Sequence, residues 1–187
     1  MAVDTAKGVI SHIQDDFADG RDSQYLPKVS IQVQNRLKKN ELAMTDLLAD
    51  AGYSNGSNYK FLEQRNITGW IPVFGKYKSG VDGFTYNKEK DEYTCPMNKP
   101  LPFKGGYTSP DGGEFKNYWA SSKDCKDCPM KSSCAPNIRC RKVTRTAYDP
   151  EYLRAYERQH SERGRQMKRL RQSTVEPVFG SLTITMD

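Results

Sequence analysis

The sequence that decides the fold reads Leu-Leu-Ala-Asp-Ala-Gly-Tyr-Ser over residues 47–54. A short apolar run bounded by turn-forming residues is typical of a buried strand. Asp50 follows that run and therefore stands at the carboxyl end of a strand, where α/β proteins place ligand groups. A buried carboxylate needs a partner, so one interpretation of Asp50 is a metal ligand. The other is an Asp that caps the following helix.

The neighbouring segments predict a parallel βαβ unit around this stretch. Strand 47–50 is followed by a helix over 57–65 and by a strand over 69–73, which a right-handed crossover makes parallel. Upstream, the apolar spacing predicts a helix over 23–39. The first residues predict a hairpin, with strands over 2–5 and 8–14.

The composition is typical of a soluble globular chain. Of its 187 residues, 36% are hydrophobic and 28% are charged, which suits one sizeable domain or one domain with an insertion. No apolar run approaches the length that spans a bilayer, and the amino terminus lacks the features of a secretion signal. We therefore expect a cytoplasmic protein.

Positive charge is concentrated in the second half of the chain. Residues 1–92 have a net charge of −1 and residues 93–187 a net charge of +7. Asp149 and Pro150 begin a predicted helix that runs to about residue 180, with Gly164 as a candidate break. A basic helix of this kind can follow a phosphate backbone, or its charges can simply face solvent. The cations that we select as DNA contacts are Arg163, Arg165, Lys168, Arg169 and Arg171.

All five cysteines lie within residues 76–147, a segment with little apolar material for a core of its own. Such a segment usually needs disulfides or a bound metal ion to stabilise it. Cys125 and Cys128 form a C-x2-C pair that Cys134 follows, and with Cys95 they supply the four thiolates of a tetrahedral zinc site. Cys140 is an alternative fourth ligand. Reduced, unpaired cysteines and a redox pair are the competing interpretations.

Three acids take the positions of an RNase H-like metal site. Asp4 lies on the first predicted strand, Asp50 follows a later one, and Glu176 lies on the late helix among Val and Phe residues. An exposed turn acid is the alternative for Asp4. Residues 48–54 and 174–180 closely resemble bacterial insertion-sequence transposases of the DDE class. Residues 2–4 resemble that family's first catalytic strand, and the cysteine segment resembles an insertion found in one of its branches.

The resemblance implies an α+β, α/β-like fold, in which an RNase H-like mixed sheet is flanked by helices and carries an irregular cysteine-containing insertion. Residues 1–75 would form the first part of the catalytic core. Residues 76–147 would form the insertion, stapled by zinc, and residues 148–187 a basic helix that returns the catalytic Glu to the core. We expect the strands of Asp4 and Asp50 to be neighbours in one sheet.

The resemblance also implies metal-dependent cleavage and transfer of DNA strands. Asp4, Asp50 and Glu176 would hold two Mg²⁺ or Mn²⁺ ions, which activate water or a DNA 3′-hydroxyl. The partners would be transposon ends and target DNA, with no membrane. A homodimer and a location at the bacterial nucleoid are further expectations.

The chain departs from the family around the third acid and at both ends. Family members carry an Arg before the Glu, a role that Arg169 or Arg171 fills only approximately. They carry a Lys seven residues after the Glu, where this chain has Thr183. The chain resembles a family member truncated at both ends, so we expect impaired strand transfer. The alternative function is a zinc-stabilised nucleic-acid-binding module without catalysis.

Overall fold

The computed structural model describes residues 2–6, 8, 10–13, 20–75, 77–109 and 112–184, with the backbone alone for residues 179–184. The described chain is α+β, as the sequence predicted. It forms two compact units, of which the first comprises Met1–Tyr77 with Pro150–Asp187 and the second Lys78–Asp149. The catalytic and zinc-binding roles assigned above to segments of the chain stay predictions.

The regular elements follow in chain order. The strands are β1 (Ala2–Val3), β2 (Ile10–His12), β3 (Asp46–Leu48), β4 (Thr68–Trp70), β5 (Thr85–Asn87), β6 (Glu92–Thr94), β7 (Pro100–Thr108), β8 (Glu114–Trp119) and β9 (Lys142–Thr146). The helices are α1 (Asp22–Lys38), α2 (Gly56–Gln64), α3 (Ser122–Lys126), α4 (Lys131–Cys134), α5 (Asp149–His160) and α6 (Glu162–Ile184). None of the described helices carries an apolar run long enough to cross a bilayer.

The predicted βαβ unit is confirmed. Strands β3 and β4 pair in parallel, with Leu47 opposite Gly69, and α2 connects them. The helix begins where the side chain of Asn55 accepts a hydrogen bond from the amide of Ser57, since a capping side chain satisfies one of the free amides of the first turn. Leu62 of α2 is almost fully buried in the core of this unit. Asp50 thus follows a strand, as expected, although it is exposed rather than buried.

The prediction that the strands of Asp4 and Asp50 are neighbours in one sheet was wrong for the described residues. Strand β1 pairs with β2 in an antiparallel hairpin, while β3 and β4 form a separate two-stranded sheet. A hairpin partner a few residues away satisfies the backbone of a short strand at a small cost in loop entropy. The single mixed sheet is therefore replaced by separate sheets. Positions 9 and 14 of the predicted second strand lie outside the described residues.

The core of the first unit joins α1 to the βαβ unit and α5. Helix α1 buries Leu26 and Val33 on the predicted apolar stripe. Ser23 and Ser30 lie on the same buried face, at positions that an apolar pattern does not reveal. The buried core members are Leu26, Tyr59, Leu62, Ile67, Ile71, Val73 and Ala155.

The late basic segment is two helices rather than one. Helix α5 ends at His160 and α6 begins at Glu162, so the break lies at Ser161 instead of Gly164. The hydroxyl of Ser161 accepts a hydrogen bond from the amide of Gly164 at 2.9 Å, as an N-cap does. Gly164 is needed because a Cβ there would lie 2.1 Å from the backbone oxygen of Arg158.

The second unit is more regular than the sequence predicted. Its five strands form one antiparallel sheet in the order β5-β6-β7-β8-β9. The sequence predicts a small hairpin with strands over 84–86 and 92–95 around residues 88–91, and β5 and β6 confirm it. The prediction of an irregular segment without a core was wrong because tyrosines can form a core. Tyr93 and Tyr118 are at most 1% exposed and pack with Leu101. Each tyrosine buries a large ring and needs a partner only for its hydroxyl.

Asp91 supplies that partner for Tyr118, and also for Tyr86. Its Oδ1 accepts hydrogen bonds from the hydroxyls of Tyr86 at 2.7 Å and Tyr118 at 2.6 Å, and its Oδ2 pairs with the ammonium of Lys116 at 2.8 Å. Burial by itself would raise the pKa of Asp91, but the hydrogen bonds from Lys116, Tyr118 and Tyr86 lower this pKa to about 2. Burial of the ring, followed by the hydrogen bond to Asp91, raises the pKa of Tyr118.

Replacing Gly164 tests the junction between α5 and α6. We expect Gly164→Ala to lower the free energy of unfolding by about 1–3 kcal/mol, the usual cost of overpacking, because a backbone oxygen cannot move aside as a side chain can. Urea unfolding followed by far-UV circular dichroism measures the change. Gln166→Ala, on the exposed side of the same helix, is the control. Equal midpoints for the two variants would contradict the close approach.

The tyrosine–carboxylate cluster predicts a dependence of stability on pH. A folded pKa of about 2 lies below the unfolded value of about 3.9, so the ionised Asp91 stabilises the fold above about pH 4 and this stabilisation is lost as the pH falls towards 2. Asp91→Asn should therefore melt below the wild type at pH 7, with a difference that shrinks on acidification. Asp82→Asn, at a carboxylate whose side chain is 82% exposed, is the control. A difference that stays constant from pH 7 to 2 would refute the role of the Asp91 charge.

Candidate nucleic-acid groove and metal ligands

A basic groove of about 240 Å³ lies in the first unit, beside the carboxyl ends of β3 and β4. Ala49, Trp70 and Pro72 line it from the βαβ side, and α5 and α6 line it from the other. The indole N–H of Trp70 donates to Asp46 Oδ1 at 2.7 Å, which holds the ring in place. Parallel strands place ligand sites at this edge, which is the edge at which the sequence placed Asp50.

Four cations line the groove, and no carboxylate does among its described lining residues. The cations are Arg158, Arg165, Lys168 and Arg171. Backbone carbonyls hold two of the guanidinium groups, because Arg158 Nε donates to Gly69 O at 3.1 Å and an Arg165 Nη donates to His160 O at 2.8 Å. Arg158 lies 4.0 Å from Glu63 and Arg171 lies 3.2 Å from Glu176, and neither acid lines the groove. A groove whose described charged lining is cationic favours an anionic ligand, and a phosphate group suits a guanidinium especially well.

The structure divides the five cations that the sequence selected as DNA contacts. Arg165, Lys168 and Arg171 line the groove, whereas Arg163 and Arg169 do not. Arg163 instead donates to Gln166 Oε1 at 3.4 Å on the exposed side of α6.

Arg158, which sequence reasoning left out of this set, lines the groove from α5. In the single helix that the sequence predicted, residues 158, 165, 168 and 171 are spaced by seven, three and three positions, which places them on one face. That spacing was the available signal.

Asp50 makes the cap interaction that was the alternative to a metal ligand. Its Oδ1 accepts a hydrogen bond from the amide of Gly52 at 2.8 Å at the start of a short 3₁₀ turn, Ala51–Tyr53. A second carboxylate lies nearby, since a Cβ on Gly52 would be 3.0 Å from Asp50 Oδ1 and 3.2 Å from Asp22 Oδ2. Burial, followed by the charges of Asp22 and Asp50, raises the pKa of Tyr53. In the sequence, Asp22 is one of two candidate caps, with Ser23, for the helix over 23–39, and α1 brings it here.

Glu176 is exposed on α6 and forms an ion pair with Arg171, with 3.2 Å between Oε1 and Nη2. Asp4 follows β1, where its backbone oxygen accepts from the amide of Gly8 at 2.9 Å. No group of three or more His, Cys, Asp or Glu side chains in the described residues is arranged to hold a metal ion. The structure therefore does not bring Asp4, Asp50 and Glu176 together, and their catalytic roles stay predictions.

The four cysteines selected as zinc ligands line one small cavity of the second unit. Cys95, Cys125, Cys128 and Cys134 surround about 40 Å³, and none of them forms a disulfide. Cys140 is outside this lining, because it is buried in the tyrosine-rich core.

Comparison with known proteins gives one match. A family model described as a transposase DDE domain matches residues 94–187, which is half of the chain. The matched residues include all five cysteines, the groove cations and Glu176, and they exclude Asp4 and Asp50. No curated protein and no solved structure matches the chain.

Charge reversal on the two sides of α6 tests the groove. The double variant Arg165→Glu with Lys168→Glu should bind a short duplex at least about tenfold more weakly and reduce the salt slope of log K by about two, because two phosphate contacts are lost. Fluorescence anisotropy at several KCl concentrations measures both quantities. The matched control is Arg163→Glu with Arg169→Glu, the same charge change outside the groove. Equal losses in the two double variants would assign binding to the overall charge of the helix.

Proposed function

Because the chain belongs to the family of transposase DDE domains, we propose that it binds DNA in the basic groove and takes part in metal-dependent cleavage and joining of DNA strands. The observation that carries the proposal is the groove itself. It is cationic, it lies at the carboxyl ends of two parallel strands, and two of the three candidate catalytic acids adjoin residues that line it.

Each of these two acids is next to a residue that lines the groove. Asp50 directly follows Ala49, a lining residue, and Glu176 is paired at 3.2 Å with Arg171, another lining residue. A DNA phosphate in the groove would compete with Glu176 for the guanidinium of Arg171, since phosphate and carboxylate are alternative bidentate partners of Arg. Binding of DNA would therefore free the Glu176 carboxylate.

The donor set fits a hard divalent cation. Asp50 and Glu176 offer carboxylate oxygens, which Mg²⁺ and Mn²⁺ prefer to nitrogen or sulfur. Such ions would activate water or a 3′-hydroxyl and stabilise the leaving oxygen. The chain's own residues would hold the phosphate backbone and keep the two carboxylates at the groove. Asp4 is the third proposed ligand, and it must move towards the other two for the set to be complete.

We expect weak strand transfer from this chain alone. The three carboxylates do not form a metal-holding group in the described residues, and position 183 has Thr where the family has a DNA-contacting Lys. The same arrangement favours the second candidate function, a zinc-stabilised nucleic-acid-binding module without catalysis. Such a module would bind DNA through the groove and use no carboxylate.

Nicking assays with Mn²⁺ on supercoiled DNA distinguish the two functions. Catalysis predicts that Asp50→Asn and Glu176→Gln each abolish metal-dependent nicking while duplex affinity stays within about threefold of the wild type, because neither removes a groove cation. Glu157→Gln, at an exposed acid on α5, is the control and should nick normally. Wild-type protein that binds DNA but never nicks would favour the binding module. Nicking that survives in both acid variants would refute the assignment of these two carboxylates.

A further inference from the structure

We propose that Cys95, Cys125, Cys128 and Cys134 form a structural zinc site that ties the turn between β6 and β7 to the connection between β8 and β9. The inference concerns the second unit alone and does not depend on the proposed DNA chemistry. Its first support is that four cysteines from two segments line one cavity of about 40 Å³, which is large enough for one ion. Thiolates in that number are the usual ligands of structural zinc.

The connection between β8 and β9 explains why a structural metal ion is needed. Residues 120–141 carry two helices of only five and four residues, α3 and α4. Their buried apolar side chains are Ala120, Ala135 and Cys140, so little apolar surface holds a long connection in place. Connections of this length without a regular core of their own are uncommon in compact domains unless something else orders them. Three of the four candidate ligands lie in this connection.

The turn that carries Cys95 has the hydrogen bonds of a metal knuckle. The amide of Lys99 donates to Cys95 Sγ at 3.4 Å, and the amide of Asn98 donates to Cys95 O at 2.9 Å. Backbone amides that donate to a ligand sulfur orient it and offset part of its negative charge. Asn98 has a positive φ of 55°, which closes the turn around the sulfur.

The charges around the cavity suit an anionic four-thiolate centre. Arg141 lines the cavity, and one of its Nη atoms donates to Cys134 O at 3.1 Å. Its Nε is buried without a hydrogen-bond partner in the described residues. A zinc ion with four thiolates carries two negative charges. Arg141 and Lys99 would offset them, and with Asp124 also in the lining the charged neighbours of the cavity have a surplus of one cation.

The position of the fifth cysteine decides between the two candidate fourth ligands. Cys140 is 8% exposed and packs in the tyrosine-rich core with Val143, away from the cavity lining. Cys95 lines the cavity with the other three. No three of these side chains are already arranged to hold a metal ion in the described residues, so zinc binding requires the half-buried cysteine side chains to move.

Metal analysis of the full chain tests the site. Protein purified without chelator should hold about one zinc per chain. Cys128→Ser should lose the metal and melt at a lower temperature, whereas Cys140→Ala, which removes a cysteine of the same unit outside the cavity, should keep it. Zinc-free wild-type protein, iron in place of zinc, or equal zinc in Cys128→Ser and wild type would overturn the proposal.

A titration of the wild type keeps the test valid if Cys128→Ser does not fold. A mercurial thiol reagent is added stepwise, and free zinc is followed with a chromogenic chelator. Zinc should be released as about four thiols react. Thiols that react without any release of zinc would refute the site, and so would a melting temperature that a chelator leaves unchanged.

Discussion

The first unit depends on the return of the chain to α5 after the long excursion of residues 78–149. Arg154 forms a double hydrogen bond to Glu63 of α2, at 3.0 and 2.6 Å, and Gln159 accepts from the amide of Val73 at 2.8 Å. Tyr152 packs edge-on against Tyr59. These contacts close a loop whose entropic cost rises only slowly with its length, so a modest set of contacts is enough. These contacts form the groove, because the βαβ unit is one of its walls and helices α5 and α6 are the other.

The helical wall of that groove carries four cations, and its described lining residues include no acid. The carboxylate of Glu63 pairs with Arg154 at 2.6 Å and reaches the groove cation Arg158 at 4.0 Å. Arg171 also has an acid beside it, because Glu176 pairs with it at 3.2 Å, whereas Arg165 and Lys168 face a space without acids in the described lining. A groove of this kind attracts polyanions along its whole length. A phosphate can also replace Glu176 as the partner of Arg171. The match to transposase DDE domains covers the cationic wall and stops short of the strand wall.

The second unit reaches a stable core by a different route. Its large buried side chains are mostly tyrosines, and three of their rings pack within 6.0 Å of one another between centroids. One carboxylate, Asp91, accepts the hydroxyls of two of these tyrosines, Tyr86 and Tyr118. A fully satisfied polar network inside aromatic packing specifies one arrangement, because every alternative leaves a hydroxyl or a charge unpaired. The aromatic core includes Ala120 and Cys140 from the two ends of residues 120–141, and the proposed zinc site would extend this order to the residues between them.

The sequence by itself determined the local structure: the parallel strands around α2, the hairpin of β5 and β6, and the cationic face of α6 that holds Arg165 and Lys168. Periodicity and turn residues act over a few positions, so they are readable without a fold. Only the tertiary structure decided which distant residues meet. It placed Asp22 beside Asp50, left Cys140 out of the cavity that the other four cysteines line, and separated the strand of Asp4 from that of Asp50. Such pairings depend on packing and on competition for backbone hydrogen bonds across the whole chain, and no local pattern records that competition.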